Sequence, residues 1–298
     1  MGSPNRAAAT ANAELGALPQ QHADAIGRVC DEITAGKWDA EFPLAVYQTG
    51  SGTHTNANLN EVIANRANEL AGSHRGANRP LHPSDDVNMS QSTNDTFVTA
   101  LLVAAVAAMV DVLLPALLAL RDALQVKAEL WSDIVKVGRT HLMDATPLTV
   151  GQEWSGYSAA LGEATDEVQR AADGLLEVAL GGTAVGTGLN APRGFAEAAV
   201  AALADSTGRA FRPAENRFAA QATLDPMVRA HASLKGAAVT LFKIANDLRW
   251  AATGPRAGLA ELRIPANEPG STIMPGKVNP TQAEAMLQVC LTVIGQDT

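Results

Sequence analysis

Apolar residues in the second half of the chain recur in steps of three and four. From Leu224, positions 224, 227, 231, 234, 238, 241, 245, 248 and 252 keep that rhythm, and all but His231 are apolar. Such spacing predicts a helix of about seven turns with one continuous seam, in which His231 is a satisfied seam residue and not a ligand. Thr146 followed by Pro147 reads as a cap and a first helical residue, opening a second long helix to about residue 180. Residues 97 to about 130 predict a third, kinked at Pro115. Asn279 and Pro280 suit the cap and first position of a fourth. Earlier in the chain the pattern is more broken, with shorter helices predicted over residues 7–18 and 20–35.

Long helices that are apolar towards one another predict an all-α protein: an elongated central helical bundle with a smaller, mostly helical N-terminal domain. The expected division is residues 1–90 for the smaller domain and 91–298 for the bundle. Residues 100–120 are nearly all apolar and long enough for a transmembrane helix. They also carry Asp111 and Pro115 and lack the basic and aromatic flanks of an interfacial anchor. The favoured reading is a buried helix in a soluble bundle, not a membrane span.

Composition narrows the class. Hydrophobic residues make up 47% of the chain but aromatics only 4%, so the apolar content is mostly Ala, Leu and Val, which favours close-packed helices. A net charge of −9 and a pI near 5.1 argue against a nucleic-acid or polybasic membrane partner. Cys30 and Cys290 form no disulfide framework, and no charged segment with an apolar run opens the chain. Both features predict a cytoplasmic protein.

The densest chemistry lies in Gly270-Ser271-Thr272-Ile273-Met274-Pro275-Gly276-Lys277-Val278-Asn279-Pro280, with Glu284 just beyond. A hydroxyl, a cation and an amide there share a glycine-loosened loop that leads into a helix N-terminus, a natural seat for an anion. The bland alternative is a solvated surface loop. Other patterns lack context. Gly186 to Ala191 fits a dinucleotide-type Gly-x-Gly-x-x-Ala but has no flanking βαβ unit. His82 with Asp85 and Asp86 has no helix-spaced partner to complete a metal site. Ser271, His141 and Asp144 sit in no nucleophile-elbow sequence.

The loop resembles the signature loop of the fumarase/aspartase lyase superfamily, and four further blocks resemble its class II fumarase branch. These are Thr49–Thr53 with Asn56, Asn60 and Glu61; His82–Asn88 running into Ser90–Asp95; Gly138-Arg139-Thr140-His141; and Gly181–Asn190. All five occur in the family's order. Within the superfamily, aspartate ammonia-lyases carry Gln where this chain has His141 and usually Ala where it has Gly276, so the resemblance favours fumarase over aspartase. Thr272 stands where the family usually has Ser, and Ser84 where it often has Asn. Against the family's length the chain is expected to lack the start of the N-terminal domain, the last bundle helix and the small C-terminal domain. That raises a further alternative, a pruned, non-catalytic assembly subunit.

The resemblance implies reversible hydration of fumarate to (S)-malate, a step of the tricarboxylic acid cycle, without metal or organic cofactor. Removing a proton α to a carboxylate needs electrostatic stabilisation of a carbanion-like dianion, together with an acid and a base of tuned pKa. By the resemblance Ser271 is the base that takes the C3 proton, and His141, with a water and Glu284, handles the departing hydroxyl. Lys277 and Asn279 supply charge and an amide. Substrate contacts are implied for Ser51, Gly52, Thr53, Asn56, Ser92, Thr93, Asn94, Thr140, Thr272 and Val278. Arg79, His82, Pro83, Ser84 and Asp85 align with a secondary dicarboxylate site. The implied partners are the small dicarboxylate and identical subunits, in a homotetramer whose sites are shared between chains.

Overall fold

The computed structural model describes residues 1–297. In chain order the first elements are α1 (Gly2–Glu14), α2 (Gln20–Thr34), α3 (Thr53–Leu70), α4 (Thr93–Ala107) and α5 (Leu114–Leu130). A hairpin of β1 (Val135–Thr140) and β2 (Met143–Thr149) leads into α6 (Val150–Asp173). Then follow β3 (Glu177–Val178), α7 (Phe195–Thr207), β4 (Arg212–Pro213), α8 (Arg217–Ala222), α9 (Asp225–Ala251) and α10 (Thr281–Gln296). Helices dominate, as their periodicity predicts. The strands form two small pairs, β1 with β2 antiparallel and β3 with β4 parallel.

The chain folds as two compact units. One joins Met1–Ala107 to Asp173–Met227, drawing on residues either side of position 90; the other joins Ala108–Ala172 to the chain from Val228 onward. In the first unit Ile26, Val29 and Cys30 of α2 meet Leu59, Ile63 and Ala67 of α3, with Ala9 of α1 and Leu18 in the same cluster. The spacing of these positions places them on one face of each helix. Each fully buried Leu or Ile there contributes about 1.5–3 kcal/mol. Asn68 pins the following loop by a reciprocal pair with Leu81, each N···O distance being 2.8 Å.

Several elements depart from their predicted positions. Thr146 and Pro147 do not open a helix: they lie in β2, where Val137 pairs with Pro147. The start of α6 is set three residues later by a capping box. Thr149 N–H donates to Gln152 Oε1 at 2.9 Å, and Gln152 N–H donates to Thr149 Oγ1 at 3.0 Å. The helix also ends at Asp173, short of residue 180. Pro115 disturbs its helix through a π-helical turn at Ala108–Leu113, between α4 and α5. A proline offers no N–H to the preceding turn, and the wider turn accommodates the missing donor. At α10 the cap is Pro280, not Asn279, and no side chain closes it.

Helix α9 matches the long seam, but its fully buried positions are Ala230, Ala237, Ala238, Ile244 and Ala245, while Leu224 is exposed and precedes it. His231 is paired, its Nδ1 lying 3.0 Å from Asp297 Oδ1. The apolar run Thr93–Leu130 is less buried than expected, with 33% of its most apolar window covered. Val112, Val126 and Leu130 are exposed. Thr298 lies outside the described residues.

The polar centre of the first unit is Asp95, which is fully buried. Its Oδ2 accepts the N–H groups of Gly181 at 3.0 Å and Thr183 at 2.9 Å, and its Oδ1 accepts Ser92 N–H at 2.9 Å. The Thr96 hydroxyl adds a donor at 3.2 Å. Burial pushes the carboxyl above its usual range, while these donors pull it back. An amide at this position would turn an NH2 group towards backbone donors. Asp95→Asn is therefore expected to cost about 1.5–3 kcal/mol, read from urea unfolding, with hydrogen exchange speeding first in residues 181–183.

Candidate active site

In the first unit three of the sequence blocks meet. Ser51 Oγ lies 2.8 Å from Thr49 Oγ1 and 3.0 Å from Thr53 Oγ1, forming a row of hydroxyls at the N-terminus of α3. Gly52 caps that helix with φ of 76°, and an added Cβ would stand 2.4 Å from the Phe97 ring, so only glycine fits. Asn56, buried in the first turn of α3, donates to Asn88 Oδ1 at 3.1 Å and Thr93 Oγ1 at 3.3 Å. Its own Oδ1 is buried without a protein partner. Asn60 donates to the same Asn88 oxygen at 3.1 Å. Asn94 donates to Ala184 O at 2.7 Å, and Ser92 Oγ accepts Asn94 N–H at 3.2 Å. Ser51, Gly52, Thr53, Asn56, Ser92, Thr93 and Asn94 are thus one hydrogen-bonded neighbourhood with the glycine-rich segment at 181–184. Asn88 and Asp95, which organise it, carry no role in the sequence reading. The Ser92-x-x-Asp95 spacing, a capping signal, is the local sign of the second.

The same unit holds the segment aligned with a secondary dicarboxylate site. His82 caps a π-helical turn, Pro83–Val87, and its Nδ1 accepts the N–H groups of Ser84 and Asp85, both at 3.2 Å. An accepting Nδ1 leaves the ring proton of a neutral imidazole on Nε2. Pro83 is buried, and Arg79, Ser84 and Asp85 are exposed.

The second unit carries the remaining groups in two places. Thr140 pairs with Met143 across a two-residue turn formed by His141 and Leu142. Both turn residues have positive φ, 55° and 63°, the hand that a tight hairpin requires. Neither is glycine, so each holds backbone strain of about 1–3 kcal/mol. His141 is exposed at this tip.

The other place is the loop before α10. Ser271 N–H donates to Lys277 O at 3.3 Å, closing a small ring, and Lys277 N–H donates to Met274 O at 3.2 Å. A Cβ on Gly270 would lie 1.9 Å from Lys277 O, so this closure requires glycine. Inside the ring Ser271 Oγ accepts the N–H groups of Ile273 and Met274, both at 3.3 Å. Thr272, Lys277 and Val278 are exposed, Asn279 is half-buried, and Glu284 is exposed in the first turn of α10. Among the described residues no hydrogen bond or ion pair joins His141 to Ser271 or to Glu284. No cluster of three or more His, Cys, Asp or Glu side chains among them is placed to hold a metal ion.

Comparison with known proteins fits this layout. Residues 2–295 match a family model described as Lyase. The class II fumarate hydratase of Myxococcus xanthus (strain DK1622) is 59% identical over 292 residues, covering 98% of this chain and 63% of that protein. The corresponding protein of Methanosarcina acetivorans is 56% identical over 296 residues, covering 99% and 61%. Among solved structures, the class II fumarase of Schistosoma mansoni has a TM-score of 0.96 at 40% identity, covering 99% of this chain and 65% of that one. Fumarate lyase:delta crystallin from Brucella melitensis, bound to cobalt, gives 0.94 at 44% identity, covering 99% and 64%. The chain therefore spans less than two thirds of the length of these relatives. It belongs to the lyase family that the matched model describes, and its similarity to class II fumarate hydratases runs along nearly its whole length.

Proposed function

We propose that the whole protein to which this sequence belongs adds water reversibly across fumarate to give (S)-malate. The observation that carries this reading is the Ser271 hydroxyl held between two backbone N–H donors. A serine is a very weak base, and an oxygen that receives two N–H groups is stabilised as the alkoxide. In the malate-to-fumarate direction Ser271 takes the C3 proton. The electron pair forms the double bond, and the C2 hydroxyl leaves as water after protonation by the group containing His141, a water and Glu284. Lys277 and Asn279 stabilise the charge that builds on the neighbouring carboxylate. The hydroxyl row Ser51–Thr53, with Asn56, Ser92, Thr93, Asn94, Thr140, Thr272 and Val278, holds the substrate. Arg79, His82, Pro83, Ser84 and Asp85 form a secondary dicarboxylate site. His141 and the names of the relatives support fumarate hydration over ammonia release from aspartate.

In this reading residues 1–90 are the N-terminal domain and 91–298 the central bundle of a cytoplasmic homotetramer of the tricarboxylic acid cycle. Two observations support shared sites. The proposed groups are divided between the two compact units, Ser51–Asn56 and Ser92–Asn94 in one and His141 and Ser271–Glu284 in the other. Exposed apolar side chains also line the long helices, among them Val126, Val239, Trp250, Val289 and Leu291, a surface suited to other copies of the chain.

Following the ultraviolet absorbance of fumarate tests the reaction directly. Turnover is expected with a chelator present, and ammonia release from aspartate in place of hydration would overturn the assignment. In the active protein Ser271→Ala and His141→Asn are each expected to lower kcat by about a hundredfold or more with little change in KM, because both groups act in the transition state. Near-normal kcat in Ser271→Ala would remove it as the base. Mixing these two inactive variants after dissociation is expected to restore part of the activity, since a shared site can then receive both intact groups. Proven subunit exchange without recovery would mean that each chain completes its own site.

A further inference from the structure

Strand β1 presents two cations to one carboxylate. Lys136 Nζ lies 2.8 Å from Glu261 Oε2 and 2.8 Å from Glu153 Oε2, and Arg139 Nη1 lies 2.7 Å from Glu261 Oε1. In a regular strand, residues three apart point to opposite faces. Here the register slips between Val137 and Arg139. The extra residue lies on β2, where Ala145 and Thr146 face the single Gly138, and at this locally twisted bulge both Lys136 and Arg139 reach Glu261. All four side chains are largely screened, with Lys136 at 11% and Arg139 at 19% exposure. Burial works to raise the Glu261 carboxyl, yet Lys136 and Arg139 hold it below the usual carboxylate range.

The four side chains come from three parts of the chain. Lys136 and Arg139 belong to the hairpin whose tip is Thr140–His141, and Glu153 lies in the first turn of α6. Glu261 returns the chain to the end of α9, its N–H donating to Ala251 O at 2.9 Å, and from there the chain runs on to Ser271. A strained turn at His141 needs surroundings that over-determine it, and this half-buried ion network supplies them.

We propose that Glu261 is a positioning residue. Clamped by Lys136 and Arg139, it holds the His141 turn and the segment leading to Ser271 in one fixed relation. The inference rests on the proposed hydratase reading for its kinetic consequence, but not for its structural one. Its test therefore joins kinetics to hydrogen exchange in the full-length protein. Glu261→Gln and Lys136→Met are each expected to lower kcat about tenfold to a hundredfold, with KM for fumarate within about threefold of wild type. Both variants should speed exchange in residues 138–144 and 268–279 together. The double variant should lose little more than the worse single one, because the two side chains act as a unit. Lys235→Met, which breaks the ion pair with Asp297, should leave both segments and kcat unchanged. Glu261→Asp keeps the charge but shortens the reach by one methylene, and it carries the same expectation if Glu261→Gln does not fold. Faster exchange in neither segment, or in one alone, would overturn the clamp. So would a kcat within about twofold of an active wild type. Coupled exchange in a wild type without fumarate turnover would uphold the clamp and sink the hydratase reading instead.

Discussion

A buried carboxylate is costly unless donors surround it, and Asp95 gathers four of them from separate parts of the chain. Its oxygens fix the N-terminus of α4 and the turn at Gly181–Thr183 to one point. Asn94 then reaches Ala184, and Asn88 ties α3 to the same neighbourhood through Asn56 and Asn60. In a helical fold the rods are cheap to specify, whereas the polar segments between them have few backbone partners of their own. Side-chain amides and one carboxylate supply those partners here.

The second unit solves a similar problem with charge. A two-stranded hairpin has little stability alone, and this one carries two non-glycine residues at positive φ. Ion pairs to Glu261 and Glu153 anchor its base, while Trp131 and Trp154 meet edge-on beside it at 4.8 Å between ring centroids. Tyr157 donates to Asp247 at 3.0 Å, and Lys243 lies over the Tyr157 ring. Trp154, Tyr157, Lys243 and Asp247 line a cavity of about 440 Å³ that also touches His141. Packing and electrostatics therefore converge behind the strained turn, which frees its tip to remain exposed.

Much of this is legible in the residues alone. The periodicity from residue 224 locates α9, the broken early pattern locates α2 but sets the first helix at 7–18 where α1 spans Gly2–Glu14, and five ordered blocks point to the lyase family. The misreadings share a cause. Thr146-Pro147 carries a genuine local helix-start signal, but strand pairing with Val137 competes for the same backbone and wins. Asn279-Pro280 likewise looks like a cap and first turn, yet the loop closed by Ser271 and Lys277 leaves Pro280 as the boundary. The apolar run at 100–120 signals a helix but not what covers it, and its exposed side chains exceed what a buried rod would show.

By itself, then, the sequence determined what depends on near neighbours: helix content, the apolar faces, the residue types of the chemical blocks and their order. Periodicity and capping report interactions within about one helical turn, and the chain writes those directly. Only the tertiary structure decided which distant groups meet. Asp95 with Gly181, Asn94 with Ala184, and Lys136 and Arg139 with Glu261 have no local signature. Each pairing depends on how the intervening chain closes, which no signal within one helical turn or one strand records.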